Sequence, residues 1–285
     1  MGICVKNGEE TVARALDSIV SQDYPHQLIE IILVDDGSED NTLKVVKECL
    51  SATDISSRVF SGRWRGLGKA RNMVIREASG DYIIWVDADE ILANDFVRKQ
   101  VDIIENNPKA GVVSGRLSIL EHENVILALD LIPNVVEYSR QDWKSAAKLP
   151  GTGGTTYRVA AARQVGGFDE ELSGLGEDID IASKMREAGW QVIRGEGVFY
   201  ERHGNLSTWM NLLKRNVSQG IQSRHLYRKT DRFYSLLKMN PFASAVAGVL
   251  YAVQGYRVTR RRIVLLLPPH FCIKMLAWFY GFSKG

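Results

Sequence analysis

Apolar positions along this chain follow two periods that take turns. Short apolar runs at residues 2–5, 29–34, 81–86 and 110–116, with a shorter one at 59–60, read as strands. Between them, residues 9–22 carry Val12, Ala15, Leu16, Ile19 and Val20 at helical spacing, and helical patterns recur at 41–50, 68–78 and 95–106. Strand and helix in alternation predict an α/β fold, a Rossmann-like and mostly parallel sheet flanked by helices. From 119 to 149 the periodicity weakens, and this segment, with Tyr138, Arg140 and Trp143, reads as a loop or short helices near an acceptor. Beyond it come a small-residue loop at 151–156, helical patterns at 159–165 and 177–188, and a strand at 190–193. The core therefore ends around Arg202-His203-Gly204.

The tail has a different pattern. Residues 208–227 mix Trp209, Met210, Leu212, Leu213, Val217 and Ile221 with Lys214, Arg215 and Arg224, a basic amphipathic helix that suits a membrane surface or a solvated face equally. Residues 241–256 carry no charge, and 263–282 carry only Lys274. A bilayer span needs about 20 apolar residues, so the first stretch is marginal, and Pro268-Pro269 interrupts the second. Interfacial or re-entrant insertion fits better than two clean spans, with the arginines at 257 and 260–262 favouring anionic lipid on the cytoplasmic face.

Composition sharpens this division. The chain has 285 residues, 45% of them hydrophobic, enough for one large α/β domain and an appendage. The net charge of +2 hides an asymmetry: from Arg202 to Arg262 there are twelve Lys or Arg and one acid, Asp231. Those bases are interleaved with long apolar runs, which nucleic-acid binding does not require. Cys4, Cys49 and Cys272 are too scattered for a zinc site and too few for a disulfide framework, which points to a reducing compartment. No signal peptide precedes the first strand, so the catalytic part is expected in the cytoplasm.

The acids gather at element ends. Asp87-Ala88-Asp89 closes the apolar run at 81–86, Asp35-Asp36 closes the run at 29–34, and Glu177-Asp178-Ile179-Asp180 opens a helical pattern. An Asp-X-Asp pair alone is equally a solvated turn or a helix cap. At the carboxyl end of a buried strand, where open α/β sheets bind ligands, its hard oxygens suit Mg2+ or Mn2+ and a metal-held diphosphate. Gly153, Gly154 and Thr155 belong to a loop that lets backbone approach a ligand, or to a plain tight turn.

Five motifs occur in one order: Val34-Asp35-Asp36-Gly37-Ser38-x-Asp40-x-Thr42, Ala70-Arg71-Asn72, Asp87-Ala88-Asp89, Gly166-Gly167-Phe168-Asp169 and Glu177-Asp178. With them the chain resembles a family 2 glycosyltransferase of the A-type nucleotide-sugar-binding (GT-A) fold, from Gly2 to about Tyr227. One departure is that Val5-Lys6-Asn7 stands where members usually carry a proline before the polar segment. The resemblance implies that Val34 and Asp36 flank the nucleobase, that the first loop with Val5, Asn7 and Glu9 closes over base and ribose, and that Arg71 approaches the diphosphate. Asp87 and Ala88 would lie along the donor, and Asp89, with Asp87 and His203, would hold the metal. The glycine loop would border the donor phosphates and acceptor, beside Glu177.

Asp178 is implied as the base that deprotonates the acceptor hydroxyl in an inverting, metal-dependent transfer. The expected substrates are a nucleoside diphosphate sugar and a glycan or polyprenyl-phosphate-linked acceptor at the cytoplasmic membrane face. A soluble acceptor, or an idle nucleotide-sugar-binding scaffold, is the alternative. The expected organisation is a catalytic domain at 1–205, its donor half at about 1–116 and its acceptor half at about 117–205. A membrane-associating helical region follows at 206–285.

Overall fold

Four apolar residues, Ile31 to Val34, give β2 (Glu30–Asp35) its character: every position after Glu30 is buried, as in a strand covered on both faces. The computed structural model describes residues 1–63, 66–120, 123–139, 149–172, 176–201, 208–230 and 241–284. They fall into two compact units, Met1–Ser118 with Gln141–Arg202, and Ile119–Arg140 with His203–Gly285.

The first unit is built on an eight-stranded sheet. Its strands are β1 (Gly2–Val5), β2, β3 (Ser56–Ser61), β4 (Tyr82–Trp85), β5 (Glu90–Leu92), β6 (Ala110–Ser118), β7 (Thr155–Arg158) and β8 (Gln191–Glu201), in the order β3-β2-β1-β4-β7-β6-β8-β5. The four strands β3 to β4 run parallel, as do β6 and β8. β7 is antiparallel to both neighbours, and β5 is antiparallel to β8, so the sheet is mixed. The reversed strands are three and four residues long, too short to carry a pattern that periodicity detects.

Helices α1 (Val12–Val20), α2 (Thr42–Ser51), α3 (Leu67–Glu77), α4 (Phe96–Glu105), α6 (Val159–Gln164) and α7 (Glu177–Glu187) flank this sheet. Val74 of α3, Ala162 of α6, and Ile181 and Met185 of α7 share one core with Ile83, Trp85, Val112, Tyr157 and Phe168. Trp85 is 2% exposed and meets Phe168 edge-on at 5.5 Å, so it is a core residue. Burying aromatic rings of this size contributes roughly 2–3 kcal/mol each.

The second unit is helical: α5 (Val125–Ser139), α8 (Trp209–Thr230), α9 (Pro241–Thr259) and α10 (Leu267–Lys284), with a 3-10 turn at Arg262–Leu266. Residues 125–139, expected as loop or short helices, form one helix. Apolar residues surround it nearly completely and Pro133 sits inside it, which blurs the helical period. Pro268 and Pro269 do not interrupt α10 but stand in its first turn, where the missing N–H has no helical partner to lose. Buried Asp130 of α5 joins three elements of this unit, with Arg215 Nη1 at 3.1 Å, His270 Nε2 at 3.8 Å and an ion pair to Lys274. Against the opposing effect of burial, His270, Lys274 and Arg215 hold its carboxyl well below the usual range.

Candidate active site

The loops after β1 and β2 are stapled together. Gly8 N donates to Thr42 Oγ1 at 2.8 Å, Asn7 N to Ser38 Oγ at 2.8 Å, and Glu39 N to Asn7 Oδ1 at 2.9 Å. Glu9 Oε2 accepts from Asn41 N and Nδ2 at 2.9 and 3.0 Å. Asn7 adopts φ 52, a left-handed conformation that Asn tolerates better than most residues. Of the first-loop residues expected at the donor, Asn7 and Glu9 thus spend side-chain oxygens on holding the loop, and Val5 is a buried strand end.

Asp36 leaves β2 with its N–H on Val5 O at 2.9 Å and its Oδ2 accepting from Gly66 N at 3.0 Å. Val34 and Asp36 line a cavity of about 570 Å³ with Phe60, Lys69, Met73 and Arg76. An aromatic ring, a thioether and polar groups in one cleft suit a planar heterocycle.

Asp87 and Asp89 leave β4 in a turn closed by Glu90 N on Asp87 O at 2.9 Å. Glu90, to which sequence reasoning assigns no role, organises this corner. It is 1% exposed, and its Oε2 accepts from Asp87 N at 3.0 Å and from Gly154 N at 3.1 Å. One buried carboxyl thus fixes the Asp-X-Asp turn to the glycine loop. Burial first, then Asp87 and Glu201, raise its pKa well above the usual range. Gly153 must lack a Cβ because Glu90 fills that space, and Gly154 combines φ 56 with the Phe199 ring against it. The signal was present in Glu90 following Asp89, but its partner lies 64 residues on.

Asp87 keeps half of its side-chain surface open. Desolvation there, with Asp89, Glu201 and Asp178, outweighs Arg71 and raises its pKa to about 6. Arg71 on α3 is 5% exposed; its Nη1 donates to Glu177 Oε1 at 2.6 Å, its Nη2 lies 3.7 Å from Asp87 Oδ1, and Phe168 faces it at 5.4 Å. Asn72 ties two of the motifs together: its amide donates to Phe168 O and accepts from Phe168 N, at 2.9 and 2.8 Å.

α7 begins after Gly176 at φ 89, with Glu177, Asp178 and Asp180 in its first turn, where the helix dipole favours negative charge. Asp178 Oδ2 lies 3.0 Å from where a Cβ of Gly151 would stand, and Asp87 Oδ2 3.4 Å from that of Gly153. The glycine loop therefore passes two carboxylates, Asp178 beside Gly151 and Asp87 beside Gly153. Thr155 Oγ1 donates to Gly151 O at 2.8 Å and closes the loop. Ala88 lies between the paired acids, and His203 lies outside the described residues.

The model of Glycosyl transferase family 2 matches residues 2–162, more than half of the chain. The chain belongs to this family. The poly-beta-1,6-N-acetyl-D-glucosamine synthase of Staphylococcus epidermidis is 27% identical over 190 residues, 65% of this chain and 45% of that protein. The synthase of the same name from Staphylococcus aureus strain COL is 26% identical over 192 residues, with the same coverage. The chain thus spans less than half the length of the curated relatives it matches. Two solved structures share its fold. The mannosyltransferase PcManGT from Pyrobaculum calidifontis, in complex with GDP-Man and Mn2+, has TM-score 0.65 at 18% identity, covering 99% of this chain and 85% of its own. Residues 1–349 of S. aureus TarS, in complex with UDP, have TM-score 0.58 at 16% identity, covering 99% and 89%. The fold of this family 2 member is GT-A.

The acidic pair of this family 2 member fits a divalent cation. Asp87 and Asp89 offer hard oxygens, and the crowding that raises the Asp87 pKa is what a bound cation relieves. Among the described residues no group of three or more His, Cys, Asp or Glu side chains is placed to hold an ion alone. A shell completed by water and phosphate oxygens is the usual arrangement for Mg2+.

Proposed function

We propose that this chain transfers a sugar from a nucleoside diphosphate sugar to an acceptor hydroxyl, with inversion at the anomeric carbon. The observation that carries this reading is the glycine loop flanked by Asp178 and by Asp87. In the proposed step Asp178 accepts the proton of the acceptor hydroxyl as its oxygen bonds to the anomeric carbon. The bond from that carbon to the diphosphate oxygen breaks, and the nucleoside diphosphate leaves with the electron pair. Val34 and Asp36 take the base in the cavity beside α3, the stapled first loop with Val5, Asn7 and Glu9 borders base and ribose, and Gly153, Gly154 and Thr155 border the phosphates. Asp89 with Asp87, and His203 after β8, would hold Mn2+ or Mg2+, which when bound neutralises charge on the departing diphosphate. Arg71 keeps Asp87 and Glu177 in register from beneath rather than from the solvent side.

On this reading residues 1–116 serve the donor and 117–205 the acceptor. The tail at 206–285 associates with the cytoplasmic membrane face, where a lipid-linked or membrane-proximal glycan is the acceptor. The apolar segment at 262–284 supports that location, and the relatives' names support a glycan product.

Titration calorimetry of the chain with UDP, GDP and dTDP, each with Mn2+, Mg2+ or a chelator, tests the donor site. Metal-dependent binding of one nucleotide, lost in Asp89→Ala, is expected. Absence of binding to all three would overturn the proposal.

A further inference from the structure

Two helices of the second unit, α9 and α10, are inside out by the standards of a water-soluble protein. On α9 the large apolar residues Val246, Val249, Leu250 and Val253 face outward, each at least half exposed. Its small residues face inward: a Cβ on Gly248 would meet Pro268, and one on Gly255 would meet Ile132 of α5. α10 repeats the pattern. Ile273, Leu276 and Tyr280 are exposed at helical spacing, while Ala277 and Gly281 are buried and Gly281 leaves no room for a Cβ against Val217 of α8. Small residues inside and large apolar residues outside is how helices pack when their surroundings are lipid. The most apolar window of the helical segment at 262–284 is 17% buried, unlike a core helix.

Charge identifies the surroundings further. Residues 241–285 contain no Asp or Glu, and Arg257 in the last turn of α9, with Arg260 and Arg262 after it, is exposed, close in sequence to Leu265 at 73% and Leu266 at 49% exposure. Arg260 takes φ 56 with its N–H on Tyr256 O at 2.9 Å, which ends α9, and Arg261 donates to Ile119 O and Leu120 O. Arginines beside exposed leucines complement anionic headgroups over hydrocarbon.

α8 decides the orientation. It packs along α10 from Trp209 beside His270 to Arg224, whose guanidinium donates to Phe282 O and Ser283 O. Its outer residues Asn211, Lys214, Ser218 and Gln219 are exposed. If α10 crossed a bilayer, α8 would carry these polar groups into the hydrocarbon beside it, where Lys and Arg are expensive. By length and composition the helical segment at 262–284 could cross a bilayer, so the polar face of α8 is what speaks against a crossing.

We infer that α9, the 3-10 turn and α10 lie in the plane of an anionic membrane leaflet, without crossing it, with α8 on the water side; this rests on the membrane part of the proposed function and fixes its geometry. The test is flotation of the full chain with phosphatidylcholine vesicles, with or without phosphatidylglycerol, at about 0.1 M and about 1 M salt. Binding is expected with phosphatidylglycerol and is weakened by salt. Leu265→Ser/Leu266→Ser should weaken it about tenfold or more, and each of Arg257→Gln, Arg260→Gln and Arg262→Gln by about fivefold. All these positions are exposed, and unchanged metal-dependent nucleotide binding reports that the variants remain folded. With Val258→Cys and Ser283→Cys, a membrane-impermeant maleimide added outside the vesicles should label both above the native-cysteine background. Protection of one end means a spanning helix and overturns the inference. So do undiminished binding by the leucine variant, equal binding to neutral vesicles, or a dimer whose formation abolishes vesicle binding. Vesicle binding without any nucleotide binding leaves this inference standing while the donor-site reading fails.

Discussion

Arg71 and Glu177 are about 5% exposed and joined at 2.6 Å, so charge removal on one side strands charge on the other. Truncating one partner of such a buried pair costs about 3–5 kcal/mol. Arg71→Met keeps most of the side-chain volume, so nearly all of its loss comes from the stranded carboxylate, one of whose oxygens, Oε2, already lacks a hydrogen-bond partner among the described residues. Glu177→Gln keeps an acceptor for Nη1, and Asp87 at 3.7 Å still faces the guanidinium, so about 1–2 kcal/mol is expected. Independent effects would sum to roughly 4–7 kcal/mol. The double variant instead carries no stranded charge, and its loss should be no larger than that of Arg71→Met alone, a coupling of about 2 kcal/mol. Urea unfolding followed by tryptophan fluorescence measures the cycle, with Trp85 reporting through Phe168, the ring that Arg71 faces. Additivity within about 0.5 kcal/mol would refute the coupling. Because Glu177 precedes Asp178 and Arg71 faces Asp87, the double variant should regain stability but not transfer.

Asp178→Asn should leave nucleotide binding nearly intact and cut transfer by about two to four orders of magnitude; full transfer would mean that another group takes the proton. Gly153→Ala should cost about 2 kcal/mol by pushing Glu90 off Asp87 N and Gly154 N, and should also weaken metal-dependent nucleotide binding in calorimetry. Burial pushes the Cys4 thiol to about 12, against the pull of Arg71, leaving about one thiolate in ten thousand at pH 8. Iodoacetamide followed by peptide mapping should therefore label Cys4 last of the three cysteines; early labelling in the folded protein would contradict that burial. Asp130→Asn should destabilise by about 2 kcal/mol at pH 7, because it breaks a cluster whose cations are partly solvated. The Asp130 carboxyl is held below its unfolded value, so this contribution is present above about pH 4 and fades as pH falls towards the lowered value. Chemical unfolding of both proteins across that range checks the sign.

What the sequence disclosed depended on how local each feature is. β2 and β4 are legible as apolar runs because both faces are buried, and the carboxylates at their ends stand out because burying them is costly. Reversal of β7 is not legible: Thr155–Arg158 owes its direction to pairing with Tyr82–Trp85 and with Val112–Ser114, far away in sequence. The same distance hides the tie of Glu90 to Gly154 and that of Arg71 to Glu177, so the two carboxylates on either side of Arg71 are not legible in the sequence. In the helical unit the difficulty is of another kind. Hydropathy finds a helix by its contrast of faces, and α9 has little contrast because Gly248 and Gly255 face inward while Val249 and Val253 face outward. A weak pattern in an apolar stretch is then itself informative. It separates helices that hide large residues from water from helices whose close packing leaves the large residues for lipid, and α8, with Lys214 and Gln219 outward, indicates on which side the water lies.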